Sequence, residues 1–62
     1  MSDEDTPATD LRTLIVDDEP LAIERVQVLC AEIPAIRVVG TASDGAAALR
    51  LAEKLHPELV LL

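Results

Sequence analysis

The sequence predicts an α/β fold built on a parallel sheet, with five elements in the order strand, helix, strand, helix, strand. Three observations predict it. Short apolar runs alternate with stretches of helical periodicity, the pattern of strands joined by helical crossovers. The runs do not alternate apolar with polar, as strands covered on both faces do not. Proline or glycine stands at the junctions, where each breaks or starts an element.

The first strand, β1, is Leu11 to Val16 (LRTLIV), apolar and β-branched. It stops at Asp17-Asp18-Glu19-Pro20. Pro20 suits the first turn of a helix, where the N–H it lacks is not needed. In that helix, α1, Ala22, Val26, Leu29, Cys30 and Ile33 are expected on one apolar face, and Pro34 is expected to close it. The second strand, β2, is Ile36 to Ala42 (IRVVGTA). Ser43-Asp44-Gly45 is a turn that can also cap the next helix. That helix, α2, carries Ala48, Ala52 and Leu55 on one face and ends at His56-Pro57. The third strand, β3, is Glu58 to Leu62 (ELVLL), apolar without alternation.

Crossovers between parallel strands are right-handed almost without exception. With β2 on one side of β1 and β3 on the other, the two helices cover opposite faces and the strand order is 2-1-3. A topological switch then lies between β1 and β3, and ligands bind at the carboxyl ends of strands beside such a switch. This order places Asp17 and Asp18 in a crevice.

Composition narrows the functions. The chain has 62 residues, half of them apolar and none aromatic, so it holds one small domain at most. Residues 1–10 (MSDEDTPATD) are read as an acidic disordered leader, with Asp3, Glu4, Asp5 and Asp10 and no base. The net charge is −7. The bases Arg12, Arg25, Arg37, Arg50 and Lys54 are scattered, which argues against direct nucleic-acid binding by this segment. No apolar run reaches membrane-spanning length, and the acidic start has no signal-peptide core. Cys30 is the only cysteine, which fits a cytoplasmic location without disulfides. On the face of α1 it reads as a small buried hydrophobe rather than a reactive thiol.

Asp17 and Asp18 carry the chemistry, and two readings of them stand side by side. An aspartate ahead of a helix serves as an N-cap, and a glutamate in the first turn complements the helix dipole. Two adjacent carboxylates at a strand end also suit Mg²⁺, which takes one or two carboxylates with waters and a phosphate oxygen. Such an ion offsets the charge of an incoming phosphoryl group.

The string Leu14-Ile15-Val16-Asp17-Asp18-Glu19-Pro20 resembles the opening motif of the response-regulator receiver family. Ser43-Asp44-Gly45 followed by Ala46-Ala47-Ala48-Leu49 resembles that family's turn into its second helix. Pro57-Glu58-Leu59-Val60-Leu61-Leu62 resembles its third strand. The three motifs keep the family's order and cover residues 11–62, the amino-terminal half of the flavodoxin-like receiver fold. The run through Leu21-Ala22 and Glu24-Arg25 looks like the subfamily whose output is a LytTR-type DNA-binding domain.

The resemblance implies a non-enzymatic phosphoacceptor in two-component signalling that takes its phosphoryl group from a sensor histidine kinase. It implies that Asp18 is a direct Mg²⁺ ligand, that Asp17 holds the ion directly or through water, and that Glu19 stands at the rim. It places the phosphoacceptor aspartate immediately after Leu62, beyond the sequence given. The Thr or Ser and the Lys that read the phosphoryl group are likewise absent from these residues. The 62-residue chain alone is therefore expected to be inactive and to hold Mg²⁺ weakly.

Other readings are open. The apolar β3 could act as an edge in self-association or in binding another chain. A small metal-dependent phosphohydrolase fits less well, because no Asp-x-Asp nucleophile pattern or glycine-rich loop is present. His56, at a helix end before proline, suits the dipole there better than a phosphoryl-donor role. Gly40 is expected to let a neighbour approach β2, and Gly45 to serve the turn.

Overall fold

The computed structural model describes residues 11–62; the expected acidic leader, residues 1–10, lies outside the described residues. The elements are β1 (Leu11–Val16), α1 (Pro20–Ala31), β2 (Ile36–Ala42), α2 (Gly45–Leu55) and β3 (Leu59–Leu61). The sheet is wholly parallel, with β1 central and the order β2-β1-β3, as the sequence predicts. The two helices make no contact with each other, and each packs on β1 and β2. They cover opposite faces, the arrangement that right-handed crossovers to the two sides of β1 require.

The core is the middle of β1. Thr13, Leu14 and Ile15 are the most deeply buried side chains, joined by Cys30 of α1 and Ala42 of β2. Burying Leu14 and Ile15 stabilises the fold by roughly 1.5–3 kcal/mol each. Alternate residues of a strand face opposite ways, so Leu14 serves the α2 side while Thr13 and Ile15 serve the other. The buried Thr13 hydroxyl is satisfied by donating to the Leu11 carbonyl at 2.9 Å.

The register between β1 and β2 shifts once. Thr13 pairs with Val38, but Leu14 pairs with Gly40, leaving Val39 as the extra residue of a bulge. The bulge turns Gly40 to the α2 side. A Cβ at Gly40 would lie 3.1 Å from the Leu55 Cδ1 and 3.5 Å from the Leu14 Cδ1. Gly40 thus admits the helix, as expected. Gly45 differs from its expected role: it is the first residue of α2, has no positive φ, and a Cβ there would meet nothing within 4 Å.

Helix ends follow the sequence in part. Asp44 is the N-cap of α2, its Oδ1 accepting from the Ala47 N–H at 2.8 Å. Pro20 opens α1 at the first turn. The expected apolar face of α1 needs correction at two positions. The helix ends at Ala31, so Ile33 lies past it, where its N–H donates to the Cys30 carbonyl at 2.9 Å. Leu29 is 63% exposed. Ala22, Ile23, Val26 and Cys30, the less exposed positions of the helix, form the inward face instead.

Candidate metal site at the carboxyl edge of the sheet

Asp17 follows the last residue of β1 and is held there by two hydrogen bonds. Its N–H donates to the carbonyl of Ala42, the last residue of β2, at 3.0 Å. Its Oδ1 accepts from the Glu19 N–H at 2.9 Å. The second bond closes an Asx turn, which steers the chain from the strand end into α1 and fixes one carboxylate oxygen. The remaining lone pairs of that carboxylate are open to other partners. Asp17 is half-buried, while Asp18 and Glu19 are exposed.

Neither aspartate caps α1. The N-cap position belongs to Glu19, whose side chain makes no capping bond, although its carbonyl accepts from the Ala22 and Ile23 N–H groups at 3.1 and 3.2 Å. The structure thus gives Asp17 a turn rather than a cap and leaves Asp18 exposed to solvent.

The acids of this edge are Asp17, Asp18 and Glu19 after β1 and Asp44 after β2. The described bases stand elsewhere: Arg12 in β1 and Arg37 in β2 near the opposite edge, and Arg25, Arg50 and Lys54 on the helices. Segregation of this kind leaves a negative field at the carboxyl edge, with no side-chain cation at these turns to offset it.

Divalent hard cations take such oxygen donors. No group of three or more His, Cys, Asp or Glu residues gathers into a metal site among the described residues. The expected donors are the adjacent pair Asp17 and Asp18; Asp17 and Asp44 each give one carboxylate oxygen to a backbone N–H, and Asp18 is exposed. Two carboxylates match the share of an octahedral Mg²⁺ shell that proteins commonly supply, the rest coming from water. The pair fits a partly hydrated Mg²⁺ and does not fit a cage of protein ligands.

The neighbour of the pair is set by β3. Thr13 pairs with Leu59, Leu14 with Val60 and Ile15 with Leu61. Carried on by one residue, the register brings Leu62 beside Val16; carried on by two, it brings whatever follows Leu62 beside Asp17. A side chain entering there from β3 would lie beside the acidic pair.

Two residues that the sequence reading passed over, Arg12 and Glu58, organise the opposite end of the same strand pair. The Arg12 guanidinium donates from Nη1 to the His56 carbonyl at 2.8 Å and from Nη2 to the Leu55 carbonyl. It thus caps the carboxyl end of α2, where cationic donors complement the dipole. The signal was a lone arginine inside an otherwise apolar strand. His56 is the C-cap, in the left-handed region at φ 50°.

No family model matches the chain, and no solved structure matches it. Curated proteins do. The chain is 45% identical over 56 residues to the nitrate/nitrite response regulator protein NarL of Escherichia coli, covering 90% of this chain and 24% of that protein. It is 47% identical over 53 residues to the positive alginate biosynthesis regulatory protein of Pseudomonas aeruginosa, covering 84% and 21%. It is 43% identical over 54 residues to a protein-glutamate methylesterase/protein-glutamine glutaminase of Koribacter versatilis, covering 87% and 15%. The chain thus spans less than a quarter of the length of each of these relatives.

Proposed function

We propose, from the premise that this chain belongs to the response-regulator family, that residues 11–62 are the amino-terminal half of a receiver domain and contribute its Mg²⁺ seat. Asp18 would hold the ion directly, Asp17 directly or through water, and Glu19 would stand at the rim. The observation that carries this reading is the register: Ile15 of β1 pairs with Leu61 of β3, so the acidic pair that follows β1 stands beside the exit of β3. When bound, Mg²⁺ supplies positive charge that offsets the phosphoryl oxygens.

The chain's own residues do the positioning. The Glu19 N–H fixes one oxygen of Asp17, which would lower the entropic cost of that carboxylate holding an ion. Asp18, exposed beside it, is free to ligate. The phosphoacceptor aspartate belongs immediately after Leu62, where it would attack a phosphohistidine on a sensor histidine kinase and become an acyl phosphate. On this reading the domain is cytoplasmic and is not itself an enzyme, and its output is transcriptional control through a LytTR-type domain. No helix among the described residues is long and apolar enough to cross a membrane.

The test is twofold. Sequencing past the codon for Leu62 is expected to give aspartate; another residue there would refute the assignment. The 62-residue chain, given Mg²⁺ and acetyl phosphate, is expected to form no acyl phosphate. A stable acyl phosphate on residues 11–62 would show that the nucleophile lies elsewhere.

A second reading rests on β3. Its outer edge has no strand partner among the described residues, and Val60 and Leu62 are 44% and 93% exposed. Such an edge can pair with another chain, making the segment a dimerisation or binding module. Sedimentation showing a monodisperse monomer across a wide concentration range would exclude it.

A further inference from the structure

We propose that Arg12 and Glu58 form a register lock that fixes where β3 lies along β1, and so which residue is delivered to the acidic pair. The need for a lock follows from β3 itself. Strand register is normally specified by one apolar and one polar face. The run Leu59-Val60-Leu61-Leu62 is apolar on both faces, and β3 has only three residues. Its pattern tolerates a slip along β1 that would carry the residue after Leu62 away from Asp17.

The hydrogen bonds that forbid the slip sit just ahead of β3. The Glu58 N–H donates to the Arg12 carbonyl at 2.8 Å. In return the Arg12 N–H donates to the Glu58 Oε1 at 3.0 Å. Both bonds use the backbone of Arg12, one with the backbone and one with the side chain of Glu58, so a shift of one position breaks both. The guanidinium of the same arginine holds the Leu55 and His56 carbonyls, which ties the end of α2 and the start of β3 to one point on β1. Bonds of charged donors and acceptors are about twice as strong as neutral ones. Arg12 and Glu58 are positioning residues at the far end of the strand from the site they align.

The consequence for phosphoryl chemistry rests on the proposed reading of Asp17 and Asp18, but the lock is tested without metal or phosphate. The experiment is NMR on the 62-residue chain and its variants Arg12→Gln, Arg12→Lys and Glu58→Ala. Cross-strand contacts between Thr13–Ile15 and Leu59–Leu61 report the β3 register, and those between Thr13–Val16 and Val38–Ala42 serve as an internal reference. Arg12→Gln and Glu58→Ala are expected to lose or shift the β1–β3 contacts, with amide protection in β3 falling about tenfold or more, while the β1–β2 contacts persist. Arg12→Lys is expected to recover part of the protection through a single charged donor. Unchanged β1–β3 contacts in Glu58→Ala, which removes the side-chain acceptor, would overturn the lock, as would loss of both sets of contacts in equal proportion, the mark of a general stability role. Arg12→Lys behaving no better than Arg12→Gln would overturn the role given to the charge. Failure of Mg²⁺ to bind would leave these outcomes untouched and would count against the site assignment alone.

Discussion

Valine in place of Gly40 should destabilise the chain by about 1–3 kcal/mol, the usual cost of forcing methyl groups into a filled space. The first added carbon would lie 3.1 Å from the Leu55 Cδ1, 3.5 Å from the Leu14 Cδ1 and 3.8 Å from the Leu51 Cδ1. The closest of these is the tip of a half-buried side chain on α2 and can give by a few tenths of an ångström. Alanine therefore sets that small adjustment against the ~0.5–1 kcal/mol recovered when glycine leaves a strand interior, and its net change should fall within about 1 kcal/mol of zero. Valine adds two further methyls among the same three leucine tips. Leu14 is only 1% exposed and cannot retreat, so α2 must lift. Gly45→Ala is the control: nothing lies near its Cβ position, and the substitution should stabilise by about 0.4–1 kcal/mol through the unfolded chain. Urea unfolding followed by circular dichroism gives the midpoints and slopes of all three variants. Gly40→Val as stable as Gly40→Ala would refute the close packing of α2 on the bulged strand.

Three further outcomes follow from single contacts. Asp44→Ala removes the acceptor for the Ala47 N–H and should cost about 0.5–2 kcal/mol in urea unfolding, with loss of helical ellipticity; Asp44→Ser should restore most of it. His56→Gly relieves a non-glycine residue at φ 50° and should raise stability by about 0.5–1 kcal/mol, read as a higher thermal midpoint; a lower midpoint would show that the imidazole has packing value. Asp17→Ala breaks the turn bond from the Glu19 N–H and should cost about 0.5–1.5 kcal/mol, whereas Asp18→Ala, at an exposed position, should stay within about 0.5 kcal/mol of the parent. Equal costs for the two would contradict their division of labour.

The strands were legible because their apolar runs end in unambiguous punctuation. β1 and β2 match the sequence expectation at both ends, bounded by Asp17 on one side and by Pro34 and Ser43 on the other. β3 is shorter than the expected Glu58 to Leu62 at both ends: Glu58 pairs with Arg12 just ahead of the strand, and the strand stops at Leu61. The inward face of α1 was read less well. Leu21, Val28 and Leu29 are all 63–65% exposed, so apolar residues lie on more than one side of this helix and periodicity alone could not choose the side resting on the sheet. The placement of Asp17 and Asp18 at the strand end was legible from position. That Asp17 makes a turn with the Glu19 N–H, while Asp18 stays free, was not, because both follow from the φ/ψ path of three residues rather than from their types. The Arg12–Glu58 pair was invisible for another reason: its partners are 46 positions apart, and only the parallel register brings them together.

The proposed metal seat is tested most directly by adding Mn²⁺, a paramagnetic hard cation with the ligand preferences of Mg²⁺, to the isotope-labelled chain. Amide signals of Asp17, Asp18 and Glu19 are expected to broaden first, followed by Leu61 and Leu62 on the neighbouring strand, with excess Mg²⁺ reversing the effect and Asp18→Asn abolishing it. Broadening confined to Asp3, Glu4, Asp5 and Asp10, or left unchanged by Asp18→Asn, would mean that the cation is drawn by diffuse negative charge and that the strand-end pair is no binding site.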